Sequence, residues 1–307
     1  MGLFSRKPKE TARPDGALTF LTEAEAQQLR GLMREAFAER GLEVVVHPDH
    51  AVDAAGRRFG FWNAGAACHG QPRSTWPGLV REHVRRVLDD LDAPDPFQGL
   101  SPDDARRSTY ARLYDLASLP TAEHHPYREF APGLVEMLAL DLPETVTVFP
   151  HEAVSAAGGW EPLHAAGVEN LRRLPTEELV PVPVDGGGTF TILLGDSVHT
   201  GSRALLMPGL AADVAGETAG AHGWLLSVPN RHQVVWHMVR DMSVVGALNG
   251  MAGFAVRGYE DAVGPLSPHV YWWDGQHYEQ LTQVHDGRIV IQPTERFLAV
   301  LEQLAAG

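Results

Sequence analysis

Residues 221–232 read Ala-His-Gly-Trp-Leu-Leu-Ser-Val-Pro-Asn-Arg-His, and this stretch decides how the chain is interpreted. Residues 223–228 are apolar enough to form a central β-strand. Pro229 cannot donate a backbone hydrogen bond, so it marks the point at which strand pairing ends. The three polar residues that follow, Asn230, Arg231 and His232, therefore lie at the end of a buried strand. Polar side chains in such a position often contact ligands, so we predict a binding role for all three.

On both sides of this strand, hydrophobic periodicity and turn residues predict a mixture of helices and antiparallel hairpins. In the first part of the chain, Thr22 and Glu25 form a capping box ahead of an amphipathic helix. A hairpin of residues 42–47 and 57–62 and a helix over 76–91 follow. The same order recurs as a helix over 160–174, a hairpin of 179–184 and 189–194, and a helix over 202–214, which suggests a pseudo-repeat of helix-hairpin-helix units.

The remaining segments complete the predicted secondary structure without a strict alternation of strands and helices. The segments 110–116, 134–140 and 145–149 are predicted as strands or short apolar helices, which periodicity alone does not separate. Strands are predicted over 233–239, 268–273, 278–281 and 288–291, and helices after Ser101, over 244–259 and after Thr294. The predicted fold class is therefore α+β. A Pro- and Gly-rich linker at residues 93–99 separates the predicted domains. These are a flexible basic tail over 1–18, an N-terminal helix-hairpin-helix domain over 19–92, and a larger α+β domain over 100–307.

Composition narrows the classes of partner and compartment. The 39 acidic and 25 basic residues give a formal charge of -14, which disfavours binding to nucleic acid or anionic lipid. No apolar stretch approaches the roughly 20 residues that span a bilayer. The single cysteine, Cys68, excludes an internal disulfide framework and a cysteine-based zinc site. We therefore expect a cytoplasmic protein with neither a nucleic-acid nor a membrane partner.

Several short motifs suggest a family. The segment 134–170, with Leu-Asp-Leu-Pro at 140–143, resembles the YtpQ-like family of uncharacterised bacterial proteins. The segments 195–203 and 226–231 are also similar to that family, and the likeness extends over roughly residues 20 to 275. Where the family pattern has an acidic residue after the arginine, this chain has His232. The resemblance implies bacterial kinship and implies no activity.

The 15 histidines raise the question of a metal site, but their spacing is unfavourable. His232 and His237 are five residues apart, which places them on opposite faces of a strand. We predict no metal and no cofactor. A hydrolase could use Asp196, Ser197, His199 and Ser202, but these residues crowd one turn and no Gly-x-Ser-x-Gly elbow accompanies them. We therefore predict no catalytic residue.

Tyr271, Trp272 and Trp273 form an aromatic strand in which the middle ring points away from its two neighbours. At least one large ring must then find cover outside its own strand, either in the core or at an interface. Trp272 is therefore a further candidate for a binding surface.

Two functional hypotheses follow from these candidates. We favour a non-catalytic cytoplasmic interaction or accessory protein with a protein partner, whose binding residues are Asp196, Asn230, Arg231, His232 and Trp272. The alternative is a hydrolase or metal-dependent enzyme that uses Asp196, His199, Arg231 and His232. In either case a strand-end arginine needs acceptors for its donors, so we predict that Arg231 pairs with Asp196.

Overall fold

A computed structural model describes residues 13–92, 95–119, 122–142, 145–185, 187–260, 262–285 and 288–306. Helices and antiparallel sheets are both extensive, which confirms the predicted α+β class. The chain divides between residues 93 and 94 into two compact units.

The first unit packs helices against a small sheet. Its elements are α1 (Glu23–Glu39), β1 (Val44–Val46), β2 (His50–Asp53), β3 (Arg58–Gly60), α2 (Trp62–Cys68) and α3 (Trp76–Asp92). The capping box of Thr22 and Glu25 is present at the start of α1, as predicted. The predicted hairpin is wrong in detail, because β2 pairs with both β1 and β3 and forms a three-stranded antiparallel sheet.

The ordered first unit begins before residue 19. Leu18 is fully buried, and the carboxylate of Asp15 receives two hydrogen bonds from the guanidinium of Arg30. The boundary of the predicted tail at residue 18 is therefore too late. Residues 1–12 of that tail lie outside the described residues.

The second unit begins with a four-stranded antiparallel sheet. Its strands are β4 (Thr109–Asp115), β5 (Tyr127–Ala131), β6 (Leu134–Asp141) and β7 (Val146–Val148), and β6 pairs with the other three. The helices around it are α4 (Pro102–Ser108), α5 (His151–Ala156) and α6 (Trp160–Arg172). α6 crosses β4 very closely: a Cβ atom at Gly167 would lie 2.5 Å from the backbone nitrogen of Ala111, so only glycine fits there.

The quoted stretch forms the centre of a six-stranded antiparallel sheet. In spatial order the strands are β13 (Tyr278–Gln280), β12 (Tyr271–Trp273), β10 (Trp224–Ser227), β11 (Gln233–Met238), β9 (Thr189–Leu194) and β8 (Glu178–Pro183). Because β8 and β9 form one edge of this sheet, the second helix-hairpin-helix segment is not a unit of its own. The remaining elements are α7 (Gly209–Ala215), α8 (Ser243–Glu260), the hairpin of β14 (Thr282–His285) and β15 (Arg288–Ile291), and α9 (Glu295–Ala306).

Both faces of the six-stranded sheet are covered. One face carries Leu225, Val235 and Trp272, which pack with buried residues of α8 and α9. The other carries Trp224, Trp236 and Tyr271, which pack with residues of the four-stranded sheet. The predicted alternation of Tyr271 and Trp272 to opposite faces is therefore confirmed.

The segment 202–214 differs from its predicted continuous helix. A 3-10 helix over Gly201–Leu206 and the separate α7 replace it, with a cis peptide bond before Pro208 between them. Proline cannot continue a helix through its own position without losing a hydrogen bond, which accounts for the interruption.

Candidate functional site

The turn after β10, residues 229–232, is held by its own buried asparagine. The side chain of Asn230 is almost fully buried, donates to the carbonyl of Gly258 at 2.8 Å and accepts from the backbone N–H of His232 at 2.9 Å. Both the NH2 group and the oxygen of the Asn230 amide therefore form hydrogen bonds that hold the turn. This gives the predicted binding residue a structural role.

A loop over residues 195–201 lies directly against this turn. The backbone N–H groups of Gly195 and Gly201 donate to the carbonyls of His232 and Arg231, at 3.1 and 2.7 Å. A Cβ atom at Gly201 would lie 2.6 Å from the carbonyl oxygen of Asn230, so a larger residue would push the two segments apart. The two glycines therefore set the close approach of loop and turn.

His232 is held as a neutral imidazole in this contact. Its Nδ1 donates to the carbonyl of Gly195 at 3.1 Å, and its Nε2 accepts from Nε of Arg231 at 3.0 Å. A ring with one donor and one acceptor nitrogen carries no charge. Burial and the nearby charge of Arg231 lower the pKa of His232, while the Gly195 carbonyl and Asp196 oppose this effect.

Arg231 is half-buried, and no carboxylate of the described residues lies within ion-pair distance of it. Burial and the charge of Arg112 lower its pKa. The predicted pairing with Asp196 is therefore wrong. Asp196 is exposed, and its backbone N–H, rather than its side chain, is anchored by a hydrogen bond to Glu177.

His199 lies on the same loop and is buried. Its ring stacks on Tyr110 with the centroids 4.0 Å apart, and its Nε2 lies 3.4 Å from Oδ1 of Asp141. Neither ring nitrogen has a hydrogen-bond partner among the described residues. Burial and the charge of Arg112 lower the pKa of His199 to about 4, with Asp141 acting in the opposite direction. His199 is therefore neutral near pH 7.

The strand β4 supplies the remaining side chains. Tyr110, Arg112 and Tyr114 alternate along it and share one face, whereas Ala111 and Leu113 are buried on the other. The guanidinium of Arg112 lies over the ring of Tyr114 at 5.1 Å. His199 stacks on Tyr110 of this face, and the loop that carries it is hydrogen-bonded to the turn of Arg231 and His232. We therefore call Arg112, His199, Arg231 and His232 the arginine–histidine cluster.

A second feature is a cavity of about 490 Å³ in the same unit. Its aromatic walls are Phe130, Trp224, Trp273 and Tyr278, and Leu205 and Met207 complete the apolar lining. Trp224 and Trp273 stack with their centroids 5.5 Å apart, and Nε1 of Trp224 donates to the hydroxyl of Tyr278 at 3.1 Å. The rings are therefore fixed in place. The volume is in the range of pockets that hold small ligands or inserted side chains.

Trp272 does not line this cavity. Its side chain is 3 % exposed, packs on Phe297 and donates from Nε1 to the carbonyl of His222 at 2.8 Å. The prediction that Trp272 contributes to a binding surface is wrong, since α9 provides the cover that its ring requires.

Sequence reasoning missed Arg112, Asp141 and the cavity residue Phe130. The alternation Tyr-x-Arg-x-Tyr over 110–114 was a usable signal, because it places a cation between two aromatic rings on one face of a strand. No comparable signal predicts Phe130, which belongs to a strand that the sequence analysis did not find.

Comparisons with known proteins give no further assignment: no protein-family model, no curated protein and no solved structure matches the chain. The resemblance to the YtpQ-like family therefore rests on the short motifs alone. Within the described ranges, no three or more His, Cys, Asp or Glu side chains are grouped so that they could hold a metal ion. In the same residues, no helix combines the length and the apolar character needed to cross a membrane.

Proposed function

We propose that the protein is a non-catalytic interaction protein whose partner inserts an apolar side chain, carried on an extended segment, into the aromatic cavity. The observation that carries the proposal is the cavity itself, in which four aromatic rings surround about 490 Å³ of space. Aromatic rings contribute large contact areas at protein interfaces, where they often dominate the binding energy.

The edge of β5 beside the cavity supports an extended partner segment. Among the described strands β5 pairs only with β6, so its other edge presents backbone N–H and C=O groups. An extended peptide can add to such an edge through main-chain hydrogen bonds and place alternate side chains in adjacent pockets. Glu129 and Phe130 of β5 line the cavity, and Tyr127 on the same strand is 44 % exposed. Edge and cavity thus form one continuous surface.

The arrangement gives less support to the alternative of a hydrolase or metal-dependent enzyme. Asp196 is exposed and contributes only its charge to His232. The hydroxyl of Ser202 is buried and accepts from the backbone N–H of Leu113. Catalysis would need an accessible nucleophile or a metal-activated water beside the base.

We also propose a cellular compartment and a class of partner for the protein. The single cysteine and the acidic composition support a cytoplasmic location and a protein partner rather than nucleic acid. Kinship with the YtpQ-like proteins is part of the same proposal.

Blocking the cavity without removing its walls tests this function. A photo-crosslinking amino acid replaces the exposed Tyr127, and crosslinked peptides are identified by mass spectrometry in cells that express the chain. The variant Leu205→Trp fills the cavity, and Leu298→Trp makes the same change at a leucine that is 46 % exposed on α9.

We expect one recurrent, extended segment of a single partner to crosslink to the original chain and to the Leu298→Trp variant. In the Leu205→Trp variant, its yield should fall at least about tenfold, which corresponds to 1.4 kcal/mol of binding free energy. Equal yields in the two variants would contradict the proposal, and so would the lack of any recurrent crosslinked segment.

A further inference from the structure

We propose that Arg112 and Arg231, together with His199, form a binding site for an oxyanion, the phosphate or carboxylate group of a small-molecule ligand. This site lies in the arginine–histidine cluster. It shares no residue with the lining of the aromatic cavity, so the proposal goes beyond the interaction function and does not depend on it.

The first supporting observation is the charge balance of the cluster. Several other arginines of this acidic protein end on carboxylates, as Arg30 does on Asp15 and Arg296 does on Asp274 and Glu279, whereas the buried Arg203 donates to the carbonyl of Pro175 and the hydroxyl of Thr176. Arg112 and Arg231 are both half-buried, yet neither lies within ion-pair distance of a carboxylate in the part of the chain that the structure describes. Partly desolvated charges without counter-charges are costly unless a ligand supplies the missing charge.

The second observation is that three separate segments are fastened together around these charges. Loop 195–201 is bonded to the turn of Arg231 and His232 through Gly195 and Gly201. The 3-10 helix that follows this loop is bonded to β4, because Oγ of Ser202 accepts from the backbone N–H of Leu113 at 3.0 Å. The backbones that carry Arg112, His199 and Arg231 are thus held in fixed relative positions. A ligand would not have to order them.

The third observation is the unsatisfied ring of His199. Its side chain is only 3 % exposed, and its Nδ1 lacks a hydrogen-bond partner among the described residues, while its Nε2 lies 3.4 Å from Oδ1 of Asp141. Buried polar atoms are normally satisfied, and exceptions often mark a position where a ligand or water binds. In the tautomer that carries its proton on Nδ1, the neutral imidazole can donate this one N–H to an oxyanion.

The chemistry of these donors selects an oxyanion. A guanidinium presents its N–H groups in a planar fork that matches two oxygens of a phosphate or a carboxylate. Arg231 uses its Nε to donate to His232, and no carboxylate of the described residues lies within ion-pair distance of its guanidinium. The acidic groups that border the cluster are Asp141, next to His199, and the exposed Asp196, next to His232. They disfavour a large polyanion and favour a single anionic group placed between the arginines.

Binding is tested on the full-length protein by calorimetric titration with inorganic phosphate and, separately, with succinate, both at constant ionic strength in a chloride background. We expect saturable binding of at least one of the two. Tighter phosphate binding assigns the ligand group as phosphate, and tighter succinate binding assigns it as carboxylate. If neither binds more tightly than chloride, the proposal is wrong.

Substitutions of the two arginines test whether the anion binds at this cluster. Arg112→Gln and Arg231→Gln should each weaken binding at least about tenfold, since each removes a charge-assisted contact. Arg231→Lys, which keeps the charge and loses the fork, should fall between the original chain and Arg231→Gln. The control Arg257→Gln removes an exposed arginine of α8 and should leave binding unchanged. Equal weakening by the control would show that binding follows only the overall charge.

A measurement on the original protein tests the site even if the arginine variants fail to fold. Histidine ring resonances are assigned through single His→Gln variants and followed by NMR during the same titration. The signal of His199 should shift at saturating anion, while that of the exposed His277 should not. A bound negative charge should also raise the pKa of His199. An unmoved His199 signal would overturn the proposal.

Discussion

Arg30 in the first unit and Arg231 in the second are both shielded from solvent, but only Arg30 ends on a carboxylate. Its Nη1 and Nη2 form a fork on Asp15 at 2.9 and 2.8 Å, and its Nε and Nη2 also donate to the carbonyl of Pro48. Arg231 donates from Nε to the ring of His232 and has no carboxylate partner among the described residues. The guanidinium of Arg30 therefore has a carboxylate partner, whereas that of Arg231 has none among the described residues.

This difference assigns a stabilising role to Arg30 and a binding role to Arg231. A buried arginine with a full set of acceptors holds the fold together, and the loss of either partner leaves an uncompensated charge. A half-buried arginine without a counter-charge contributes little stability and is free to bind an anion. The predictions that follow test this contrast, beginning with the largest expected effect.

Arg30→Ala should lower the free energy of unfolding by about 3 kcal/mol, because Asp15 is left shielded and unpaired. Urea denaturation at pH 7 measures the loss. The control Arg34→Ala removes an exposed arginine from the same helix and should change stability by less than about 0.5 kcal/mol. A loss of equal size in the control would mean that the fork on Asp15 is not the cause.

Asn230→Ala should cost about 2 kcal/mol, because the substitution removes two hydrogen bonds and leaves the buried carbonyl of Gly258 without its donor. Chemical denaturation followed by circular dichroism checks this. Asn249→Ala, at an exposed asparagine that bonds only within α8, is the matched control. A change below about 0.5 kcal/mol at Asn230 would show that the turn does not depend on its side chain.

The Arg30 fork should also make stability depend on pH. The hydrogen bond from Arg30 lowers the pKa of Asp15 from 3.8 to about 2, although burial opposes the shift. A group whose pKa is lower in the folded state stabilises the fold above its unfolded value and loses this contribution as pH falls towards the folded value. The loss should therefore occur between about pH 4 and pH 2 and amount to on the order of 1 kcal/mol after solvent screening.

Asp15→Asn tests this pH dependence, since it removes the titrating group and keeps its shape. The free energy of unfolding of the variant should be lower at pH 7 and should fall less steeply between pH 4 and pH 2. Parallel curves for the two proteins over that range would rule out the assigned shift.

Arg231→Gln should change the free energy of unfolding by no more than about 0.5 kcal/mol in the absence of added anion. The substitution loses the hydrogen bond from Nε to His232, but it also relieves a partly desolvated charge that has no carboxylate partner among the described residues, and the two effects offset each other. The same denaturation experiment in chloride buffer measures it. A loss as large as that of Arg30→Ala would show that Arg231 is a structural residue and would break the contrast between the two arginines.

Local signals account for the parts of the fold that the sequence predicted. The capping box at Thr22, the proline after the central strand and the alternation over 271–273 all depend on neighbouring residues, and the structure contains each of them. The strand β5 was missed because its exposed pattern lacks apolar alternation. The helix over 202–214 was wrong because the pattern spans a proline that interrupts it.

The site was less accessible to sequence reasoning because pairing is a property of tertiary structure. Asp196 was chosen as the partner of Arg231 from its position in a turn, yet its side chain faces solvent. Arg112 lies more than a hundred residues before Arg231, and only the docking of the 3-10 helix on β4 brings the two charges into range. Trp272 was taken as a candidate surface ring because no sequence pattern shows that α9 covers it.

The central claim is that an anion supplies the counter-charge that Arg231 and Arg112 lack among the described residues, and the thermal midpoint as a function of phosphate tests it most directly. At constant ionic strength and 100 times the dissociation constant, bound phosphate should stabilise the original protein by about 2.7 kcal/mol, which raises Tm by roughly 5 to 10 °C. The double variant Arg112→Gln/Arg231→Gln should show no phosphate-dependent rise. If Tm rises equally in both proteins, or in neither, the arginine–histidine cluster does not bind the anion.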